Sequence, residues 1–364
     1  MNILILTNNV GGLHSFRKEV VKSIVDAGYT VYVAFPDKDE RAEYFNSIGC
    51  KYIDIPFERR GMNPIKDLKL MLNYRKWIQR IKPIAVLTYT IKPNVYGGMA
   101  SALCGVPQIA NVTGLGDSLE NPGLLKKLTM TLYRIGLKKA KTVFFQNKSN
   151  LNFCLRHKIV REENTKLLPG SGVNLSHHTY QEYPACETLR FLFIARLLRD
   201  KGVEEYFEMA KTIRSKYSNT EFQILGTCEG NYQKELEDLC EKGIVKYLGK
   251  TSDVRPYIAN AHCTVLPSYH EGLSNVNLES AANGRPVITT NVPGCRETVD
   301  DKKTGFLCES RSSQSLINAV EKFIKLTDEK KREMGIMGRK KVEREFNRQI
   351  VIEAYLGAIK NIKN

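Results

Sequence analysis

Short apolar runs alternate with longer amphipathic stretches along most of this chain. In the first half the runs at 2–7, 30–35, 51–55, 84–88, 108–112 and 142–146 have the length and low charge of buried strands. Between them lie helical patterns: 15–27 closed by Gly28, 39–48 closed by Gly49, and 64–81 capped by Asn63. Around 165–187 the pattern breaks. A strand-like 165–168 runs into Pro169-Gly-Ser-Gly172 and then a polar stretch bearing His and Tyr. A second alternating set follows at 189–195, 221–225, 245–248, 263–266, 286–289 and 305–308, and charged helical patterns over 314–325 and 328–359 finish the chain. Such alternation implies parallel sheets with helices on both faces and ligands beyond the strands' carboxyl ends. The expected architecture is α/β, with two doubly wound, Rossmann-like domains facing a central cleft. The expected division is 1–173, a linker at 174–188, a second domain at 189–345, and a C-terminal helix at 346–364 packing back on the first domain.

Length agrees with two domains, since 364 residues exceed one comfortable core. Hydrophobic content of 42% and a mean hydropathy of −0.32 are ordinary for a soluble globular protein. No apolar run approaches the ~18–20 residues of a membrane span. The apolar run at 3–6 has no basic region before it and reads as a buried strand, not a signal peptide. Nine cysteines without a C-x-x-C pair read as reduced thiols in a cytosolic protein, with no zinc site. Net charge is +16 and unevenly placed. Residues 1–185 hold 26 Lys+Arg against 14 Asp+Glu, hence +12; residues 186–364 hold 29 against 25, hence +4. An anionic surface near the first half is therefore the expected partner. No aromatic–basic module of a nucleic-acid binder accompanies that charge.

The candidate chemistry centres on 266–280, a strand end, a sharp turn and a helix opening near Ser274. A helix mouth offers unpaired amides and partial positive charge to an anion such as a diphosphate. Glu271 and Glu279, seven residues apart in between, flank that mouth and suit hydroxyls on either side of the anion, as a ribose and a hexose offer. Two solvated glutamates are the alternative. Ala195-Arg-Leu-Leu-Arg-Asp-Lys-Gly202 marks where the second half's first strand meets its helix, so Arg196 and Lys201 can point to one spot above the sheet. A departing nucleoside diphosphate carries ~2–3 negative charges, which a fixed guanidinium and ammonium can neutralise. Gly11 and Gly12 after the first strand permit close backbone approach, but there is no G-x-G-x-x-G dinucleotide fingerprint.

Glu271-x7-Glu279 after the Pro-Ser turn, with Ala195–Gly202, resembles the signature of the family 4 retaining glycosyltransferases of the GT-B architecture. So do Leu168–Val173, Tyr247–Asp253, Gly284-Arg-Pro-Val287 and Val292–Glu297. Thr90-Ile-Lys-Pro-Asn-Val-Tyr-Gly97 and Asn111–Gly116 are similar to the branch that elongates lipid-linked sugars for surface polysaccharides. Ala195, standing where the family has glycine, and Ser274-Asn275, where many relatives have proline and a basic residue, are departures. The resemblance implies that Arg196 and Lys201 hold the donor diphosphate with the amides of Leu273, Ser274 and Asn275. It likewise implies that Glu279 takes the ribose, that Glu271 takes a hydroxyl of the transferred sugar, and that Gly12 and Gly172 line the donor site. His14, Thr113 and Gly114 are candidates on the acceptor side; for His14 a capping or packing role is the alternative.

The implied activity is transfer of a hexose or N-acetylhexosamine from a UDP-sugar to a polyprenyl-diphosphate-linked saccharide. Retention would come by front-side attack, with no metal and no cofactor. The alternatives are a UDP-sugar 2-epimerase of the same architecture or a non-catalytic sugar-nucleotide-binding protein. Asp37-Lys-Asp39 fits helix capping better than metal binding. His177, His178 and His270 lack ligand spacing. Finally, 122–141 places Leu124, Leu125, Leu128, Leu132 and Ile135 against Lys127, Arg134, Lys138 and Lys141. That pattern fits either a core-packed helix with a solvated basic face or a helix lying on anionic lipid. On the second reading the enzyme is cytoplasmic and peripheral on the inner membrane face.

Overall fold

The computed structural model describes residues 1–36, 40–57, 61, 63–114, 123–185, 187–228 and 231–363. The Asp37–Asp39 and Leu115–Gly116 readings fall outside them. The described chain divides into two units: 1–171 together with 349–364, and 172–348. In the first unit the strands are β1 (Asn2–Leu6), β2 (Thr30–Phe35), β3 (Lys51–Asp54), β4 (Ala85–Tyr89), β5 (Gln108–Val112), β6 (Ala140–Phe145) and β7 (Thr165–Leu167). They form one parallel sheet in the order β3-β2-β1-β4-β5-β6-β7. In the second unit β8 (Leu189–Ile194), β9 (Thr220–Leu225), β10 (Val245–Tyr247), β11 (Cys263–Leu266), β12 (Val287–Thr290) and β13 (Gly305–Cys308) pair in parallel as β10-β9-β8-β11-β12-β13.

Burial on both faces explains why these strands read as continuous apolar runs. Leu4, Leu6 and Val86 pack under helix Pro64–Ile81 on one face of the first sheet. Ile3, Ile5 and Leu87 pack under helix Val10–Asp26 on the other. Helix Pro64–Ile81 matches its expected bounds, because Asn63 accepts from the amides of Ile65 and Lys66 at 3.1 Å each and Lys82 ends it in the left-handed conformation.

Three expectations are corrected. The first helix begins at Val10, not at 15, so Gly11 and Gly12 form its first turn instead of a preceding loop. The 174–188 stretch is part of the second unit, not a free linker. Arg285, buried, donates to the carbonyls of Gln181 (2.8 Å), Glu182 (2.8 Å), Asn283 (3.0 Å) and Ala259 (2.6 Å), which ties that stretch to the ends of helices Arg255–Asn260 and Asn275–Ala282. Gly284-Arg-Pro-Val287 is thus explained by architecture alone. Last, the 328–359 pattern is two helices, Asp328–Glu345 and Arg348–Lys363. The chain breaks between them where Asn347 bridges to Val173. The second helix buries Val351, Tyr355, Ala358 and Ile359 in the first unit's core, where Asn111 Nδ2 donates to Tyr355 Oη at 2.6 Å.

Candidate active site

In each sheet the connections run outward in opposite directions from one central pair of strands, β1/β4 and β8/β11. That reversal leaves a crevice beyond the carboxyl ends of the pair, where open α/β sheets hold their ligands. In the second unit the two loops beside the crevice are the segment after β8, carrying Arg196 and Lys201, and the segment after β11, carrying Glu271 and Ser274.

These loops are locked to each other. Gly202, at φ 73°, lies against Pro267; a Cβ there would come within 2.2 Å of the Pro267 carbonyl oxygen. Tyr269 N–H donates to the Asp200 carbonyl at 2.8 Å, and Tyr269 Oη donates to Glu205 Oε1 at 2.7 Å. The result is an ion pair between Lys201 Nζ and Glu271 Oε1 at 2.9 Å, with Ser268 Oγ donating to the same carboxylate oxygen at 2.9 Å. The two charged side chains are 17% and 20% exposed, so the pair is partly shielded from solvent.

A third segment supports them from below. Gly294 (φ 84°) accepts from Ser274 N–H at 2.8 Å, and a Cβ on it would come within 2.2 Å of the Glu271 carbonyl oxygen. Its own N–H donates to Glu297 Oε2 at 2.7 Å. The Val292–Glu297 segment therefore sets the height of the 271–274 turn.

Helix Asn275–Ala282 starts as expected, capped by Ser274, whose Oγ accepts from Asn277 N–H at 3.3 Å. The Ser274 amide is committed to Gly294, which removes it from the expected trio of phosphate donors. Among the described residues the amides of Leu273, Asn275 and Val276 have no backbone carbonyl partner at the mouth. Glu279, in the second turn and half-buried, has a carboxyl pushed up to about 7 by burial, with the Arg348 guanidinium pulling the other way.

Arg348 was not read from the sequence; it lies 69 positions beyond Glu279 and carries no local motif. It is buried, and its Nη2 donates to the Gly172 carbonyl at 2.9 Å. Gly172 takes φ 64°, with a Cβ there falling 2.7 Å from Arg348 Cα. Packing thus accounts for this glycine, and it reaches the site through Arg348. Arg196 is exposed just past β8, where Leu198 N–H donates to its carbonyl at 2.9 Å. His178 is buried against Asn283 at 3.2 Å and held neutral, burial lowering it to about 4.

In the first unit Gly12 is the third residue of helix Val10–Asp26, among the amides that no helical carbonyl satisfies. His14 sits two residues further, its ring edge-on to Tyr44 at 5.1 Å, so it lies inside the helix instead of before it. Thr113 and Gly114 follow the carboxyl end of β5, half-buried. The Thr90–Gly97 motif is largely internal. Asn94 accepts from Thr88 Oγ1 at 2.7 Å and donates to the Asn111 carbonyl at 2.9 Å, and Lys92 and Tyr96 both donate to Asp67 at 2.9 Å. Thr90, a β-branched residue at φ 72° on the end of β4, is the strained position here, a strain its motif does not show.

Two sequence families overlay the two units: "Glycosyl transferases group 1" matches 185–341 and "Glycosyl transferase 4-like" matches 3–147. The chain belongs to the group 1, family 4 glycosyltransferases of the GT-B fold, and is a glycosyltransferase. It is 30% identical to the capsular polysaccharide biosynthesis glycosyltransferase CapM of Staphylococcus aureus, over 89% of this chain and 87% of that one. It is 26% identical to the N,N'-diacetylbacillosaminyl-diphospho-undecaprenol α-1,3-N-acetylgalactosaminyltransferase of Campylobacter jejuni, over 98% and 97%. The crystal structure of Anabaena HepE in complex with UDP-glucose superposes with a TM-score of 0.82 at 17% identity, covering 99% of this chain and 100% of that one.

Proposed function

We propose that this enzyme moves a hexose or N-acetylhexosamine, with retention, from a UDP-sugar to a saccharide linked to polyprenyl diphosphate, in surface polysaccharide or glycan assembly. The acceptor class follows the Campylobacter relative, whose name specifies diphospho-undecaprenol, and the capsular role of the Staphylococcus relative. The donor follows the family resemblance and the UDP-glucose of HepE.

The observation that carries the reading is the Lys201–Glu271 pair, 2.9 Å apart beside a capped helix mouth at a topological switch point. The ammonium and the Leu273 and Asn275 amides face the position of a leaving diphosphate, and Arg196 on its exposed arm closes over it. Charge that develops on the leaving group is then met by dipoles and cations already in place, which lowers the barrier without reorganisation. Glu271 Oε1 is engaged by Lys201 and Ser268, which suits a hydroxyl-positioning carboxylate better than a nucleophile. Glu279 takes the ribose hydroxyls. The departing phosphate oxygen accepts the acceptor's proton on the face it leaves, so retention needs no covalent intermediate. No metal takes part, because the two cations and the helix mouth supply the positive charge. Helix Leu124–Leu137, with Leu124, Leu125 and Leu128 exposed, rests on the anionic inner leaflet beside the acceptor.

Crude lipid-linked acceptors incubated with a panel of UDP-sugars and read by mass spectrometry test this. One UDP-sugar should extend the acceptor by one residue, undiminished by EDTA. A new sugar formed without acceptor would establish an epimerase instead, and activity lost to EDTA and restored by manganese would refute the metal-free scheme.

A further inference from the structure

Helix Pro64–Ile81 carries apolar side chains on two opposite sides. Leu70, Tyr74, Ile78 and Ile81 face the core. Ile65, Leu68 and Leu72 stand on the other side, 70%, 54% and 48% exposed, and their three- and four-residue spacing sets them in one row. The helix also bears Lys66, Lys69, Arg75, Lys76 and Arg80, all exposed. Its one acidic residue, Asp67, is buried and bonded to Lys92 and Tyr96. Its outer surface is therefore an apolar row bordered only by positive charge. A cavity of about 430 Å³ opens on the flank of that row, lined by Phe57, Lys66, Lys69, Asn73 and the Asp67–Lys92 ion pair among others, so Lys92 is committed to that carboxylate and Lys66 and Lys69 are the cavity's other cations.

Topology places this row beside a second one. Helix Pro64–Ile81 follows β3 and helix Leu124–Leu137 follows β5, so both begin at the carboxyl edge of the parallel sheet. Both pack against the intervening helix Gly98–Leu103, which puts them in one layer. Leu124, Leu125 and Leu128, at 85%, 48% and 48% exposure, occupy the first turns of the second helix, as Ile65, Leu68 and Leu72 occupy those of the first.

We propose that helix Pro64–Ile81 is a second bilayer-docking element. Ile65, Leu68 and Leu72 enter the boundary between headgroups and acyl chains of an anionic membrane, with the flanking Lys and Arg on its headgroups and Lys66 and Lys69 at the cavity rim meeting a headgroup phosphate. A second copy of the chain is the poorer occupant, because it would set five cations against five. This inference rests on the membrane-linked function above and deepens it.

Flotation of the full chain with neutral phosphatidylcholine vesicles and with vesicles containing about 30% phosphatidylglycerol tests it. The wild type should float with the anionic vesicles alone. The Ile65→Ser/Leu68→Ser/Leu72→Ser variant should partition roughly 30-fold less, with Leu124→Ser/Leu125→Ser measuring the neighbouring helix separately. Full binding by the triple variant, or no wild-type binding at low salt, overturns the proposal. So does a wild-type dimer in sedimentation equilibrium that the triple variant abolishes. Turnover on a detergent-dispersed acceptor reads the enzymatic function independently and should stay at the wild-type level in the triple variant. A fall there in step with vesicle binding would assign the effect to damaged folding and overturn the docking role.

Discussion

Replacing Lys201 with methionine separates a catalytic ammonium from a merely structural one. In the structure Lys201 Nζ is 2.9 Å from Glu271 Oε1, and the side chains are 17% and 20% exposed. Removing the cation leaves Glu271 with Ser268 as its remaining hydrogen-bond donor. An uncompensated, partly buried carboxylate costs about 1–3 kcal/mol of stability. Loss of one preorganised charge aimed at a leaving diphosphate costs more where it counts, about 3–4 kcal/mol of transition-state stabilisation, or ~10²–10³ in kcat. The two costs respond differently to a second change. Glu271→Gln in the Lys201→Met background relieves the stranded charge, so thermal stability should recover most of its loss while kcat stays down. Lys201→Arg, which keeps the charge with altered reach, should fall between. Initial rates of UDP release with a lipid-linked acceptor, beside thermal melts of all four proteins, make the measurement. If kcat of Lys201→Met stays within about threefold of wild type, or if Glu271→Gln restores it, the ammonium is a strut for the loop and the reasoning fails.

Glu279 and Gly294 give two further expectations. The Glu279 carboxyl sits at about 7 in the folded protein against an ordinary 4.5, so folding favours its protonated form. The stability this contributes is full below about 4.5 and is lost as pH rises through about 7, amounting to about 3 kcal/mol. Melts of Glu279→Gln should therefore match wild type near pH 4 and exceed it at pH 8. Binding of the ribose needs the carboxylate, so the donor KM of the wild type should rise as pH falls below about 7; a pH-independent KM would remove Glu279 from the donor site. Gly294→Ala, whose Cβ would sit 2.2 Å from the Glu271 carbonyl oxygen at φ 84°, should displace the 271–274 turn. About 1–3 kcal/mol of stability and most of the activity should go with it, and wild-type kcat in that variant would show that the turn's height is immaterial.

Periodicity was sufficient for the strands, and local caps for several helix ends. Every strand run read from hydrophobic pattern appears in the structure, and Asn63, Ser274, Gly28 and Gly49 act where local chemistry demanded a cap or a left-handed residue. Those are properties of neighbouring residues, and burial on both faces of a parallel strand writes itself directly into composition. Motif spacing likewise located Lys201 and Glu271, because each hangs on the end of a strand the pattern had already marked. Sequence and structure differ in two ways, where paired glycines mask a helix start and where the deciding contact is distant in sequence. Two adjacent glycines read locally as a turn that sets Gly12 and His14 before the helix, whereas the first helix absorbs them. The Ser274 amide stands with the phosphate donors by motif, yet Gly294, twenty positions later, takes it, and nothing local shows this.

What the sequence by itself determined, then, is two doubly wound sheets and the segments that end at their carboxyl edges. Only the tertiary structure decided that Lys201 meets Glu271, that Arg348 stands by Glu279, and that helix Pro64–Ile81 turns three aliphatic side chains to the outside. The physical reason is range. Helix and strand are selected by interactions over a few residues, while a charge pair, a buried carboxyl or an uncovered apolar row depends on which surfaces the whole chain leaves in contact.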